Sequence, residues 1–193
     1  ENRSYLLSRL IWNNTMTVDE LLLILAAQDV GYDAHVDKAF GLIPDGLCCE
    51  FGVYAGRTLI PFANKLAPRK LYGFDSFEGL PEDWCSMAPK GSFKTDPTLQ
   101  TWPDNVYLVH GLFQDTLPLF LANHGGPVAF CHFDADLYSS TKYVLDTISS
   151  RLAKGAILIL DEIIGDKPCH DNEARAFAEW ITETGIDFEC IGM

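Results

Sequence analysis

Residues 46–79, GLCCEFGVYAGRTLIPFANKLAPRKLYGFDSFEG, constrain the fold more than any other stretch. An apolar run over 47–51 carries a carboxylate, Glu50, near its end. Gly52 and Gly56 then make a turn, and 57–66 repeats apolar residues at helical spacing. A second apolar run over 70–74 stops at Asp75. Strand, glycine turn, helix and strand in that order form half of a nucleotide-binding βαβ fold, with an acid at each strand tip. Glycines let backbone approach a ligand and adopt positive φ. The helix behind them offers free N–H groups and a positive dipole end to an anion. The spacing is GxxxG rather than the GxGxxG of dinucleotide sites, so the turn alone is equally a structural one. Asp75 adds weight, because a carboxylate at the next strand tip can accept both hydroxyls of a ribose.

Downstream the same rhythm continues. Strands are predicted at 106–110, 128–133, 156–160 and 186–191, and helices at 115–123, 139–152 and 171–184. Glu173, Arg175 and Glu179 are placed on the outer face of the last helix. Near-continuous apolar strands alternating with helices indicate an α/β fold with a doubly wound, mostly parallel sheet covered on both faces. Upstream, 3–12 and 17–29 read as a helical arm, the second capped by Thr17 with Glu20 as its capping box. The arm covers a sheet edge, or it shapes a substrate mouth or a dimer contact. We expect one domain over 1–193, with the arm in 1–40 and the α/β core in 41–193. Residues 76–104 show little period and hold Trp84, Phe93 and Trp102. A segment of that length and aromatic content reads as a lid or substrate loop.

Composition narrows the partners. With 14 basic and 27 acidic residues the formal charge is −13, which disfavours nucleic acid and anionic membranes. No run is apolar enough to span a bilayer. Of the six cysteines none stands in a CxxC pair, so reduced, buried thiols and a cytoplasmic setting are expected. Cys131, His132, Cys169 and His170 have ligand chemistry without usual zinc spacing.

The strand tips carry the remaining chemistry. Asp134 ends one strand, Asp136 follows, and Asp161-Glu162 ends the next. In a doubly wound sheet these tips line one crevice. Carboxylates gathered there repel one another, and Mg2+ with its oxygen ligands would relieve that. His132 reads as a core residue inside a strand. His170, beside Asp171, is the best-placed general base among the histidines. No nucleophile elbow, phosphate-loop lysine or HExxH is present.

The segments EFGVYAGRT, LYGFDSFEGLPEDW, KGSF, HGLFQDTLP, HFDADLYSSTKYVL and ILILDEI, spread over residues 40–185, resemble the macrocin O-methyltransferase-like family. These are Rossmann-like class I S-adenosylmethionine-dependent methyltransferases. The resemblance implies that Glu50, Gly52, Tyr54 and Gly56 hold the methionine end of S-adenosyl-L-methionine, with Thr58 beside it. It implies Asp75 and Ser76 at the ribose and Gly111, Leu112 and Phe113 at the adenine. Asp134, Asp161 and Glu162 match the family's metal carboxylates, with Asp134 also near the cofactor and Asp134 or His170 as base. Where the family has Asp-Asp-Tyr, this chain has Asp161-Glu162-Ile163, and Leu137 replaces the lysine of catechol enzymes. The fold also usually adds a C-terminal hairpin strand. The implied activity is Mg2+-assisted O-methylation of a hydroxyl on a sugar-containing or vicinal-diol small molecule, by a monomer or homo-oligomer. The alternatives are a nicotinamide-dependent oxidoreductase and a cofactor-binding module without activity.

Overall fold

A computed structural model of the chain describes residues 6–9, 32–161 and 171–192. In chain order the elements are β1 (Leu6–Arg9), α1 (Tyr32–Phe40), β2 (Leu47–Phe51), α2 (Leu59–Leu66) and β3 (Leu71–Asp75). There follow β4 (Val106–His110), α3 (Phe113–Asn123), β5 (Val128–Phe133), α4 (Tyr138–Ile148), β6 (Leu152–Leu160), α5 (Asp171–Thr184) and β7 (Glu189–Gly192). The sheet order is β4-β3-β2-β5-β6-β1-β7. The first five strands run parallel, and β1 runs antiparallel to both of its neighbours.

Period-2 alternation sorts the strand residues between two helical layers. Cys49, Phe51, Cys131, Phe133, Leu158 and Leu160 share a cluster with apolar residues of α3, α4 and α5. Cys48, Phe130, Ile157 and Ile159 pack with Leu59, Phe62, Ala63 and Leu66 of α2 and with Val36 and Ala39 of α1. Every residue of β5 is buried, as expected for the central strand of a sheet covered on both faces. Each large apolar side chain enclosed in this way contributes roughly 1.5–3 kcal/mol. The chain turns from β2 to β3 and β4 on one side, and from β5 to β6 on the other. The switch point therefore lies between the carboxyl ends of β2 and β5, where ligands bind in open α/β sheets.

Several expectations need correction. Residues 6–9, expected in a helix, form β1: the apolar residues of SYLLSRLI fit either period, and pairing with β6 and β7 decides the outcome. This strand, from the N-terminal side of the chain, lies between β6 and the edge strand β7. The predicted helix at 17–29 lies outside the described residues. α3 begins at Phe113 rather than 115, so Pro118 stands inside it. The carbonyl that proline leaves without a helical N–H, that of Gln114, accepts from Tyr143 Oη at 3.4 Å. α4 ends at Ile148, and β6 starts at Leu152 rather than 156. Glu173, expected outside, is 1% exposed and accepts from the Ala135 N–H at 3.3 Å.

The segment 76–104 is folded back on itself. Leu80 N–H donates to Ser92 O at 2.8 Å and Gly91 N–H to Leu80 O at 2.9 Å. Leu80 and Ala88 pack on Leu137, with Trp84 and Cys85 against them. Cys85 is disulfide-bonded, which overturns the expectation of reduced thiols at that position. Cys48, Cys49, Cys131 and Cys190 are not disulfide-bonded. Burial pushes the Cys48 thiol up to about 11. Among the described residues no helix is long and apolar enough to cross a membrane.

Candidate active site

The carboxyl ends of the parallel strands are joined by a ladder of backbone bonds. Gly52 N–H donates to Phe74 O at 3.0 Å, Asp134 N–H to Phe51 O at 2.9 Å, Asp161 N–H to Phe133 O at 3.0 Å and Gly111 N–H to Asp75 O at 2.9 Å. This fixes the strand-tip residues in one row. Above the β2 end lies a cavity of about 210 Å³. Gly52, Val53, Tyr54, Thr58, Asp75, Ser76, Gly111, Leu112, Phe113 and Gln114 line one part of it. Arg57, Leu80, Pro81, Trp84, Phe93, Asp134, Ala135 and Asp136 also line it. Nine of the residues expected to hold the cofactor, the metal or the proton are thus brought together.

Asp75 organises the turn. Its Oδ2 accepts from both Val53 N–H and Tyr54 N–H at 2.8 Å, and its Oδ1 accepts from Phe77 N–H at 2.7 Å. A carboxylate offers about four lone-pair sites, so most of its capacity serves the backbone. Room remains for a further hydroxyl. Gly52, at φ +90°, passes so close to β5 that a Cβ would stand 1.8 Å from Asp134 O.

Glu50 and Gly56 lie elsewhere than expected. Neither is on the cavity wall. Gly56 meets Trp102, whose ring would be 2.5 Å from an added Cβ, so that tryptophan packs under the turn. Glu50 is fully buried on the α2 side of the sheet. Its Oε1 accepts from Thr58 Oγ1 at 2.8 Å, and its Oε2 is 3.2 Å from His132 Nδ1, its register partner on β5. The Phe62 ring meets the imidazole edge-on at 5.0 Å between centroids. Burial pushes the Glu50 carboxyl up, against the opposing pull of His132 and the Thr58 hydroxyl. Burial works against the His132 charge, yet Glu50 and then Asp161 and Asp134 hold it above its ordinary value. His132 is thus a core residue, as expected, and the Cys131 beside it faces the opposite layer.

The cavity mouth holds strained backbone. Tyr54 (φ +47°), Phe93 (φ +64°) and Asp136 (φ +59°) all adopt the left-handed region and all line the wall. Such residues persist where surrounding structure enforces them, commonly at functional sites. The Tyr54 and Phe93 rings meet edge-on at 5.9 Å, and Trp84 lies 6.3 Å from Phe93, so the folded-back segment closes one side with aromatic surface. Asp136 sits in a three-residue turn closed by Leu137 N–H donating to Ala135 O at 2.6 Å. Asp136 lies on the wall as its place beside the strand tip led us to expect, and Arg57 adds a charge there that the sequence reading did not single out. Asp161 is 1% exposed and off the wall, and Glu162 and His170 lie outside the described residues. Among the described residues no group of three His, Cys, Asp or Glu is gathered as a metal site.

A family described as a methyltransferase domain matches residues 49–163, more than half of the chain. No curated protein matches the sequence. The solved structure of CalS11, a calicheamicin methyltransferase, is similar with TM-score 0.66 and 26% identity, over 91% of this chain and 80% of that one. Two other O-methyltransferases share the fold. NovP gives TM-score 0.60 and 19% identity over 82% of this chain and 76% of its own. The enzyme from Bacillus cereus, in complex with SAH, gives 0.51 and 18% over 89% and 87%. The chain belongs to that methyltransferase-domain family, as an S-adenosylmethionine-dependent O-methyltransferase. The nicotinamide alternative falls with this result.

Proposed function

We propose that the protein methylates a hydroxyl of a sugar-containing or other small-molecule acceptor, as a member of the macrocin O-methyltransferase-like branch. One observation carries the reading: the cavity at the switch point is lined both by the glycine turn with Asp75 and Gly111 and by Asp134, Asp136 and the rings of Trp84 and Phe93. Asp75 and Ser76 take the ribose side and Gly111, Leu112 and Phe113 the adenine side. Gly52, Tyr54 and Thr58 border the methionine end, with Gly56 and Glu50 beneath. Bound S-adenosylmethionine supplies an electrophilic methyl group. The chain's own residues orient the acceptor, exclude water and remove the hydroxyl proton, and positioning contributes much of the acceleration. Asp134 on the wall is our base, with His170 as the other candidate. CalS11 is also described as a TDP-rhamnose 3′-O-methyltransferase, in a structure at 25% identity and TM-score 0.57 over 94% of this chain and 89% of that one. That supports a sugar acceptor here.

Asp134, Asp161 and Glu162 are the proposed Mg2+ ligands. Hard carboxylate oxygens at adjacent strand tips suit the ion. Mg2+ there would polarise the acceptor oxygen. Addition of EDTA should lower turnover at least tenfold, and Mg2+ should restore it and raise the melting temperature of the free protein. Equal turnover with and without chelator contradicts the metal. The proposed setting is the cytoplasm, with a small-molecule partner and neither nucleic acid nor membrane, and with one domain over 1–193. The three core thiols Cys48, Cys49 and Cys131 fit a reducing compartment, whereas the Cys85 disulfide would open there. Methyl transfer from labelled S-adenosylmethionine to nucleotide-linked sugars, read by mass spectrometry, tests the acceptor class. A product methylated on oxygen supports the reading, and methylation of nitrogen alone contradicts it.

A further inference from the structure

We infer that Arg57 is the residue that selects the amino-acid end of the cofactor, by pairing its guanidinium with the ligand's carboxylate. The inference rests on the methyl-donor reading above. Part of the glycine turn's capacity to bind an anion is already committed. Val53 and Tyr54 N–H donate to Asp75, both at 2.8 Å. Gly52 N–H donates to Phe74 O at 3.0 Å and Gly56 N–H to Val53 O at 2.8 Å. The Thr58 hydroxyl donates to buried Glu50 at 2.8 Å. A carboxylate arriving at this end of the cavity therefore finds fewer donors in the turn, and a buried or half-buried anion without a charged partner is costly.

Arg57 meets that need. It lies on the cavity wall directly after the turn, and it is the one Lys or Arg among the described lining residues. The other charged groups there are the carboxylates of Asp75, Asp134 and Asp136. Among the described residues Arg57 makes no hydrogen bond or ion pair, although its fork geometry is suited to bidentate binding of a carboxylate. One cation and three anions on the wall complement a ligand bearing one carboxylate, one ammonium and one sulfonium.

The test uses calorimetry with three ligands: S-adenosylhomocysteine, its decarboxylated analogue, which keeps the amine, and 5′-methylthioadenosine. Arg57 is exposed, so Arg57→Met should fold as the wild type does, which circular dichroism checks. Arg57→Met should weaken S-adenosylhomocysteine by about 10- to 100-fold, the range of a charge-assisted pair. Both ligands without a carboxylate should change by less than about twofold, and Arg57→Lys should recover part of the loss. The assignment is overturned if Arg57→Met leaves S-adenosylhomocysteine binding intact, as it would if the guanidinium served an anionic acceptor. It is equally overturned if all three ligands weaken alike. A wild-type protein that binds none of the three overturns the methyl-donor reading, and this assignment with it.

Discussion

Gly52→Ala should cost about 4 kcal/mol of stability, combining left-handed strain with a forced overlap, and should remove cofactor binding. The added Cβ would lie 1.8 Å from Asp134 O and 2.6 Å from Asp134 C. Both are backbone atoms of the residue that follows β5, so no rotamer change can relieve the clash. The tips of β2 and β5 would have to separate, at the point where the cavity opens. Gly126 is the control: it has the same φ of +90° but nothing within 4 Å of an added Cβ. Gly126→Ala should therefore show the conformational cost alone, about 1 kcal/mol. Urea denaturation of the two variants separates the terms, and equal losses would show that close approach at Gly52 is unimportant.

Glu50→Ala carries the second large effect. It leaves the His132 imidazole, 0% exposed, without the carboxylate 3.2 Å away, and it strips the Thr58 hydroxyl of its acceptor. Removing one member of a buried charged pair costs about 3–5 kcal/mol. Because Thr58 begins the helix behind the turn, cofactor affinity should fall with stability. The paired change Glu50→Leu with His132→Leu should recover most of the stability, since apolar replacement of a whole buried pair is often nearly neutral. If the double variant is as unstable as Glu50→Ala, the pair is not the source of the loss.

The sequence made the architecture readable wherever one signal spoke alone. The strands at 47–51, 106–110 and 128–133 and the helix at 171–184 coincide with the observed elements, because continuous apolar runs and a clear 3.6 period left no rival. Residues 6–9 were misread because four apolar residues in eight suit both periods, and a pairing with β6 from the far end of the chain decided between them. Glu173 was placed outside because charged residues usually are. Only the fold brings Ala135 N–H against it.

The site was legible to the same degree. Asp75, Asp134 and the glycines were found because strand tips follow from strand ends. That Glu50 turns down toward His132 depends on the register of β2 against β5, a relation between residues far apart in sequence. That Asp75 consumes the amides of the turn depends on side-chain reach across β3. The second of these facts takes two amides of the turn out of use, which is one ground for the proposed role of Arg57.

The most direct measurement of the whole account is calorimetric titration of S-adenosylhomocysteine into wild-type protein and Asp75→Ala. Asp75 both faces the cavity and secures Val53 and Tyr54, so its loss removes a hydroxyl acceptor and loosens the turn. The account predicts one site per chain in the wild type and no detectable binding by a variant that remains folded. Absence of binding to the wild type, or unchanged affinity in Asp75→Ala, would contradict it.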